Sequence, residues 1–193
     1  MNRAVFFDRD GTVNVEVGYL SDLEQLKLIP GAGSAIRRLN EAGLTVVLVT
    51  NQSGVARGYF TEDFVRETHL LLASMLTHDG ARFDGIYYCP HHPRSGNSPY
   101  LRECDCRKPG TGMLNQAARE LDIDLARSFV VGDKWSDVEL GQRAGAVSIL
   151  VESGFTHDDP GNARHGHVRE PAYRAISIVD AVDWILEQVK GGR

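Results

Sequence analysis

Residues 5–14 read Val-Phe-Phe-Asp-Arg-Asp-Gly-Thr-Val-Asn, a short hydrophobic strand that ends on two carboxylates, Asp8 and Asp10. Open α/β sheets bind ligands at the carboxyl ends of their strands, where these two acids are expected to lie. Paired acids at a strand end suit a hard cation such as Mg²⁺, or a division of roles into nucleophile and general acid. A plain acidic turn would look the same, so the rest of the chain has to separate the two interpretations.

The bulk composition is that of a globular protein, with 193 residues, 42% hydrophobic and 24% charged. This length suits one domain with helices on both faces of a sheet, and we predict a single domain over residues 1–193. The net charge of −5 gives no basic footprint for nucleic acid or for an anionic membrane. No signal peptide or membrane span is recognisable, so we expect a cytoplasmic protein without nucleic-acid or membrane partners. The oligomeric state stays open, with a monomer as the simplest expectation.

Short apolar runs alternate along the chain with segments of helical periodicity. The predicted strands cover residues 3–7, 44–49, 83–88, 129–131 and 146–151. The predicted helices cover residues 31–42, 62–78, 112–121 and 135–144, and a C-terminal helix opens at Ser177. On the second helix we expect Leu71 and Leu72 to be buried. Residues 92–103 and 153–172 are loop-like in their Pro, Gly and Ser content. This alternation indicates an α/β fold with a doubly wound, mainly parallel sheet.

Three of the predicted strands end on polar sequences that could carry chemistry. They are Asp8-Arg9-Asp10, Thr50-Asn51-Gln52 and Gly132-Asp133-Lys134. Right-handed crossovers place the ends of parallel strands along one edge of the sheet. One polar strand end is common, but three at the same edge predict a single site.

Phosphoryl transfer is the reaction that these residue types suit best. A phosphate repels a carboxylate, so a cation has to bridge the two, and Asp8 and Asp133 can both ligate Mg²⁺. One oxygen of Asp8 can then attack phosphorus. Asp10 can protonate the leaving alkoxide and later deprotonate the hydrolytic water. Thr50, the turn that follows it and Lys108 are expected to contact the phosphoryl oxygens.

All three cysteines lie between Cys89 and Cys106, which is a poor disulfide framework but a good metal site. Three thiols and one imidazole suit a tetrahedral, structural Zn²⁺, here predicted to be held by Cys89, His91, Cys104 and Cys106. His92 is the competing ligand, but His91 gives the same one-residue spacing as the Cys104–Cys106 pair. Such a zinc loop, residues 89–106, would position the next two residues, Arg107 and Lys108.

Four motifs along the chain resemble those of the haloacid dehalogenase superfamily of aspartyl-phosphate phosphatases. They are Asp8-Arg9-Asp10-Gly11-Thr12, Val49-Thr50-Asn51, Arg107-Lys108-Pro109, and Gly132-Asp133-Lys134 with Asp137 downstream. The resemblance covers about residues 3–151 and implies a Rossmann-like core.

The resemblance also implies residue roles. Asp8 would be the nucleophile, Asp10 the general acid and base, and Thr50 and Lys108 phosphate contacts. Magnesium would be held by Asp8, the backbone carbonyl of Asp10, and Asp133. Asp137 is expected either to support these groups from behind or to lie on a helix surface.

The zinc loop narrows the resemblance to a subgroup whose members act on a heptose bisphosphate or on histidinol phosphate. The matching stretches are residues 14–19, 50–58 and 89–93. By this resemblance the substrate contacts are Glu16, Val17, Gly18, Tyr19, Arg107 and Lys134, although an Asp is more usual at the position of Glu16. The loop after the second predicted strand adds Asn51, Gln52, Ser53 and Arg57. The extra cations Arg57, Arg107 and Lys134 favour a bisphosphate sugar as substrate.

Many members of this superfamily close a mobile cap over the site, but the intervals between these motifs leave no room for a cap domain of at least ~50 residues. We therefore expect a capless enzyme. A phosphoacceptor receiver domain is the alternative from another class, since it also uses Asp, Mg²⁺ and Lys on a doubly wound sheet. The zinc loop and the second acid, Asp10, argue against it. A purely structural zinc protein is a third interpretation.

Overall fold

The computed structural model describes residues 1–152 and 164–192. Within these residues six parallel strands form one sheet, in the spatial order β3-β2-β1-β4-β5-β6. The strands are β1 (Ala4–Phe7), β2 (Thr45–Asn51), β3 (Gly85–Cys89), β4 (Phe129–Gly132), β5 (Val147–Val151) and β6 (Tyr173–Ala175). This confirms the predicted doubly wound α/β fold.

Five α-helices cover the two faces of the sheet in the described residues. They are α1 (Ala32–Glu41), α2 (Glu62–His78), α3 (Gly112–Glu120), α4 (Trp135–Ala144) and α5 (Ile178–Lys190). Thr61 and Ser177 cap α2 and α5, because their hydroxyls accept hydrogen bonds from the backbone N–H groups of Phe64 and Asp180. Short 3-10 turns at Leu23–Gln25 and Leu125–Arg127 complete the regular structure.

The pleat of β1 divides the core into two halves. Val5 and Phe7 point to one face, where α1, α2 and α5 pack. Ala4 and Phe6 point to the other face, where α3 and α4 pack. Because β1 lies between β2 and β4 and is fully buried, it is a rigid support for whatever follows Phe7.

The sequence analysis missed one strand, and one of its expectations was wrong in detail. Tyr173–Ala175 forms β6, an edge strand of three residues that is too short to produce a clear apolar pattern. On α2, Leu72 is buried as expected but Leu71 is 36% exposed, and Leu76 is buried one turn after Leu72. Residues 153–163 of the predicted loop 153–172 lie outside the described residues.

The interval between the first two motifs is occupied by elements of the core fold. Residues 8–44, all of them described, hold one 3-10 turn and α1, and β2 follows directly.

No helix among residues 1–152 and 164–192 is both long and apolar enough to cross a membrane.

Candidate active site and zinc site

The polar strand ends meet at one cavity of about 700 Å³ at the carboxyl edge of the sheet. The predicted catalytic and magnesium residues all line it, namely Asp8, Asp10, Thr50, Lys108 and Asp133. The cavity also brings in most of the predicted substrate contacts, which are Glu16, Gly18, Tyr19, Asn51, Gln52, Ser53, Arg57, Arg107 and Lys134. Val17 is 41% exposed and is not among the residues that line the cavity, and its contact with substrate remains a prediction.

Three buried acids and one buried lysine form the floor of the cavity. One carboxylate oxygen from each of Asp8, Asp133 and Asp137 lies within 4.8 Å of the others. The ammonium of Lys108 lies 2.7 Å from Asp8 Oδ1 and 2.6 Å from Asp137 Oδ1. Asp137 is therefore a buried partner of Lys108, and the alternative that it is a surface acid on α4 is wrong.

The three acids and Lys108 form a charged cluster that is shielded from water, and this shifts the pKa values of Lys108 and Asp133. Burial alone would lower the pKa of Lys108, but the charges of Asp137 and Asp8 outweigh it and hold the pKa above its ordinary value. Burial and the nearby charge of Asp8 raise the pKa of Asp133 to about 8. Lys134 also acts on Asp8 and Asp133, but two ammonium groups do not balance three acids that lie so close together.

A divalent cation fits this excess of negative charge. The donors are carboxylate oxygens, which Mg²⁺ prefers. Gly11 adopts φ +83° and lets the backbone after β1 lie close to the Asp133 carboxylate, since a Cβ on Gly11 would lie 2.3 Å from Asp133 Oδ2. Asp8 and Asp133 are therefore the side chains that would hold magnesium, and the backbone carbonyl of Asp10 remains the further ligand predicted from the sequence.

Asp10 is held by four hydrogen bonds from three side chains. Arg9 donates from Nε to Oδ1 at 3.0 Å and from Nη2 to Oδ2 at 2.9 Å. Asn14 donates to Oδ1 and Gln52 donates to Oδ2, each at 3.0 Å. Burial would raise the pKa of Asp10, but Arg9 and these donors lower it. The structure thus holds Asp10 as a carboxylate.

His69 on α2 is a neighbour of this network that the sequence did not reveal. Its Nε2 lies 3.4 Å from Arg9 Nη1, and Arg9 Nη2 also donates to Gln52 Oε1 at 3.1 Å. Burial, together with the positive charge of Arg9, lowers the pKa of His69 to about 3. A neutral His69 can accept from Arg9 and help to fix the guanidinium on Asp10. A histidine within a helix gives no sequence signal for such a contact.

Residues at the end of β2 hold the backbone and the ammonium group of Lys108 in place. Asn51 Oδ1 accepts from the backbone N–H of Lys108 at 3.0 Å, and Asn51 Nδ2 donates to the Lys108 carbonyl at 3.2 Å. The Lys108 ammonium also donates to the carbonyl of Val49. Thr50 Oγ1 accepts from Gln52 Nε2 at 2.8 Å. Asn51 thereby positions Lys108, while Thr50 keeps its hydroxyl at the cavity.

The outer part of the cavity carries further charges. Lys134 Nζ lies 3.1 Å from Glu16 Oε2, while Glu16 Oε1 accepts from the backbone N–H of Gly18. The guanidinium of Arg57 lies 6.0 Å from the ring centre of Tyr19. These contacts join the loop after β1 to the start of α4 and to the loop after β2.

The predicted zinc ligands come together beside the cavity. The sulfurs of Cys89, Cys104 and Cys106 and a ring nitrogen of His91 lie within 4.8 Å of one another. The Sγ–Sγ distances from Cys89 are 3.6 Å to Cys104 and 3.2 Å to Cys106. Hydrogen bonding with Cys89 lowers the pKa of Cys106 to about 5, so Cys106 is held as the thiolate that a metal requires. The same hydrogen bond raises the pKa of Cys89, and burial raises that of Cys104, so these two thiols would lose their protons only as a metal binds. This donor set fits tetrahedral Zn²⁺.

The competing ligand, His92, has other partners. Its Nδ1 accepts from the backbone N–H groups of Arg94 and Ser95, at 3.1 and 2.9 Å. The zinc cluster is tied to the cavity by Arg107, whose Nη1 donates to the carbonyl of His91 at 3.2 Å.

Comparison with known proteins agrees with this geometry. Residues 5–73 match the family model described as haloacid dehalogenase-like hydrolase, and residues 105–181 match a related model, HAD-hydrolase-like. The chain belongs to this hydrolase family and is a phosphatase.

Individual relatives show which phosphatases within this family the chain is similar to. The chain is 45% identical over 186 residues to D-glycero-D-manno-heptose-1,7-bisphosphate 7-phosphatase of Thermosynechococcus vestitus, with 94% of each chain covered. It is 45% identical to D-glycero-beta-D-manno-heptose-1,7-bisphosphate 7-phosphatase of Yersinia pestis, which covers 96% of this chain and 90% of the relative. A crystal structure of D,D-heptose 1,7-bisphosphate phosphatase from B. bronchiseptica, complexed with magnesium and phosphate, has a TM-score of 0.82 and 33% identity, covering 96% and 99% of the two chains. These relatives are phosphatases, which removes the receiver-domain and structural-protein alternatives.

Proposed function

We propose that this phosphatase removes the 7-phosphate of D-glycero-D-manno-heptose 1,7-bisphosphate. The observation that carries the proposal is the buried Asp8–Lys108–Asp137 group at the floor of a cavity whose outer part holds Arg57, Arg107 and Lys134. The floor suits one phosphoryl group, and the outer cations suit a second phosphate on the same substrate. Relatives that act on this bisphosphate cover nearly the whole chain.

In the first step, an oxygen of Asp8 attacks phosphorus and the bond from phosphorus to the sugar oxygen breaks. Asp10 gives its proton to the departing alkoxide. To carry that proton, Asp10 has to give up at least one of its four hydrogen bonds, because each carboxylate oxygen accepts two of them in the structure. Entry of the substrate beside Gln52 and Asn14 is the event that would loosen them.

In the second step, Asp10 acts as the carboxylate that its neighbours favour. It takes a proton from water, the water oxygen attacks phosphorus, and the bond between phosphorus and Asp8 breaks. Inorganic phosphate leaves, and both acids return to their starting forms.

Two positive charges can offset the negative charge of the phosphoryl group during its transfer. Lys108 stands on one side, within hydrogen-bond distance of Asp8, and the Thr50 hydroxyl lines the same cavity. Magnesium held by Asp8, Asp133 and the Asp10 carbonyl would supply positive charge on the other side and let a phosphate approach a carboxylate. The zinc cluster has a separate role, since it anchors the chain that leads into Arg107 and Lys108.

The test is steady-state release of inorganic phosphate in Mg²⁺, with the heptose bisphosphate and histidinol phosphate compared side by side. We expect kcat/KM for the bisphosphate to be higher by a factor of about 100 or more, since the enzyme recognises two phosphate groups on it and only one on histidinol phosphate. Equal values, or a preference for histidinol phosphate, would contradict the proposal. A single capless domain and a cytoplasmic, monomeric enzyme remain predictions of the same account.

A further inference from the structure

A short turn after β5, residues 164–168, brings a histidine to the cavity that no motif indicated. The cavity lining includes His165, and it also includes Lys134 and Ser136 at the start of α4. The turn closes with a hydrogen bond from the backbone N–H of Val168 to the carbonyl of His165, at 2.9 Å. His165 is exposed, whereas Asp8 and Lys108 are buried, so it lies at the outer rim of the cavity.

The turn is anchored on both sides of His165. Val168 is buried against Val138 and Leu150. The guanidinium of Arg164 lies 5.1 Å from the ring centre of Trp135, and its Nε donates to the carbonyl of Val168 at 2.8 Å. These contacts fasten the backbone of the turn to the N-terminal part of α4.

The ring of His165 is oriented by its neighbour His167. The two rings are stacked, with centres 5.8 Å apart and planes 6° from parallel. His167 Nε2 in turn lies 2.9 Å from Oε1 of Glu139, a buried acid on α4 that also pairs with Arg143. A buried acid, Glu139, thus supports the exposed rings of His167 and His165. Within the described residues, neither ring nitrogen of His165 has a hydrogen-bond partner.

We propose that His165 is a specificity-determining residue that donates a hydrogen bond to the phosphate of the substrate that is not transferred. The proposal rests on the proposed function. The floor of the cavity takes the transferred group, so the far end of the substrate meets the rim, where Lys134 and His165 both lie. An imidazole N–H and an ammonium together suit a phosphate dianion.

The experiment compares His165→Ala with the wild-type enzyme on two substrates, heptose 1,7-bisphosphate and heptose 7-phosphate. We expect KM for the bisphosphate to rise about tenfold with kcat nearly unchanged, as for loss of one hydrogen bond to a charged group. KM for the 7-phosphate should not change, because that substrate lacks the second phosphate. Arg169→Ala is the matched control, since it removes an exposed cation directly after the turn and outside the cavity lining, and it should leave both KM values unchanged.

A binding measurement provides the second readout. In an Asp8→Asn background, calorimetry should show Kd for the bisphosphate rising about tenfold when His165 is replaced by alanine. Unchanged KM and Kd values, or an equal rise on both substrates, would overturn the proposal. If the wild-type enzyme released no phosphate from the bisphosphate, the proposed function itself would have failed, and that outcome is visible before any variant is compared.

Discussion

The ammonium group of Lys108 lies 2.7 Å from a carboxylate oxygen of Asp8, and both side chains are buried. This contact places a fixed positive charge on the group that we propose as nucleophile. Asp137 holds the same ammonium from the other side, at 2.6 Å. The charge of Lys108 therefore serves both the reaction and the stability of three neighbouring acids.

Lys108→Met should lower kcat by a factor of about 10²–10³, because a preorganised charge at the transferring group is lost. It should also lower the free energy of unfolding by about 3–5 kcal/mol, since buried acids are left without their partner. Phosphate release and chemical denaturation in Mg²⁺ measure the two effects. Lys27→Met removes an exposed lysine and should change neither. Full activity in Lys108→Met would contradict the role given to this charge.

Asp10→Asn should slow hydrolysis of alkyl phosphates by a factor of about 10²–10⁴, the usual contribution of general acid catalysis. Esters with a very good leaving group need no proton on that group, so their phosphorylation step should be affected much less. The measurement is the burst of leaving group released from each ester type in rapid mixing. Equal losses in the burst rate on both would remove Asp10 from the acid role.

His91→Ala should lose its zinc, whereas His92→Ala should keep it, because only His91 lies with the three cysteines. Elemental analysis of the purified proteins decides this directly. Loss of the metal should also release Arg107, which is bonded to the His91 carbonyl, so activity should fall in His91→Ala. Zinc in His91→Ala but not in His92→Ala would reverse the ligand assignment.

His69 should make stability depend on pH in a defined window. Its pKa is about 3 in the folded protein and 6.5 ordinarily, so only the unfolded chain binds a proton between these values. The free energy of unfolding should then fall as pH is lowered from 6.5, by up to about 1.4 kcal/mol per unit. His69→Gln removes this titration and should show a shallower slope, measured by denaturation from pH 7 to pH 4.5.

The control for this slope is His78→Gln, which alters an exposed histidine on the same helix. It should keep the wild-type pH dependence. A slope in His69→Gln as steep as that of the wild type would mean that His69 does not stay neutral.

The sheet and its site were predictable because both leave local patterns. Buried parallel strands read as apolar runs, and the acids directly after Phe7 and Gly132 mark their ends. The cluster of three cysteines and His91 that we predict to hold zinc was equally predictable, since paired Cys and His residues at one-residue spacing have few structural reasons to occur. In these cases the residues that carry the chemistry lie close together in the sequence.

What the sequence did not show depends on contacts between distant segments. His69 meets Arg9 across 60 positions, and His165 reaches the cavity from a turn that follows the β5 strand. Asp137 left two interpretations open because an acid on a helix is usually exposed, and only the packing of α4 against Lys108 buries it. The three-residue strand β6 is recruited by the edge of β5 and has no pattern of its own.

The central claim is that Asp8 forms a phosphoaspartate, and trapping that species tests it most directly. The enzyme is mixed with excess substrate in Mg²⁺ and quenched in acid, and the acyl phosphate is reduced with borohydride, which converts the aspartate to homoserine. Peptide mass spectrometry should find homoserine at position 8, and none when substrate is omitted. Homoserine at position 10 instead would contradict the account. So would an unmodified Asp8 while the Asp10→Asn variant turns over an ester with a very good leaving group, because phosphorylation then stays fast while hydrolysis of the intermediate is slowed.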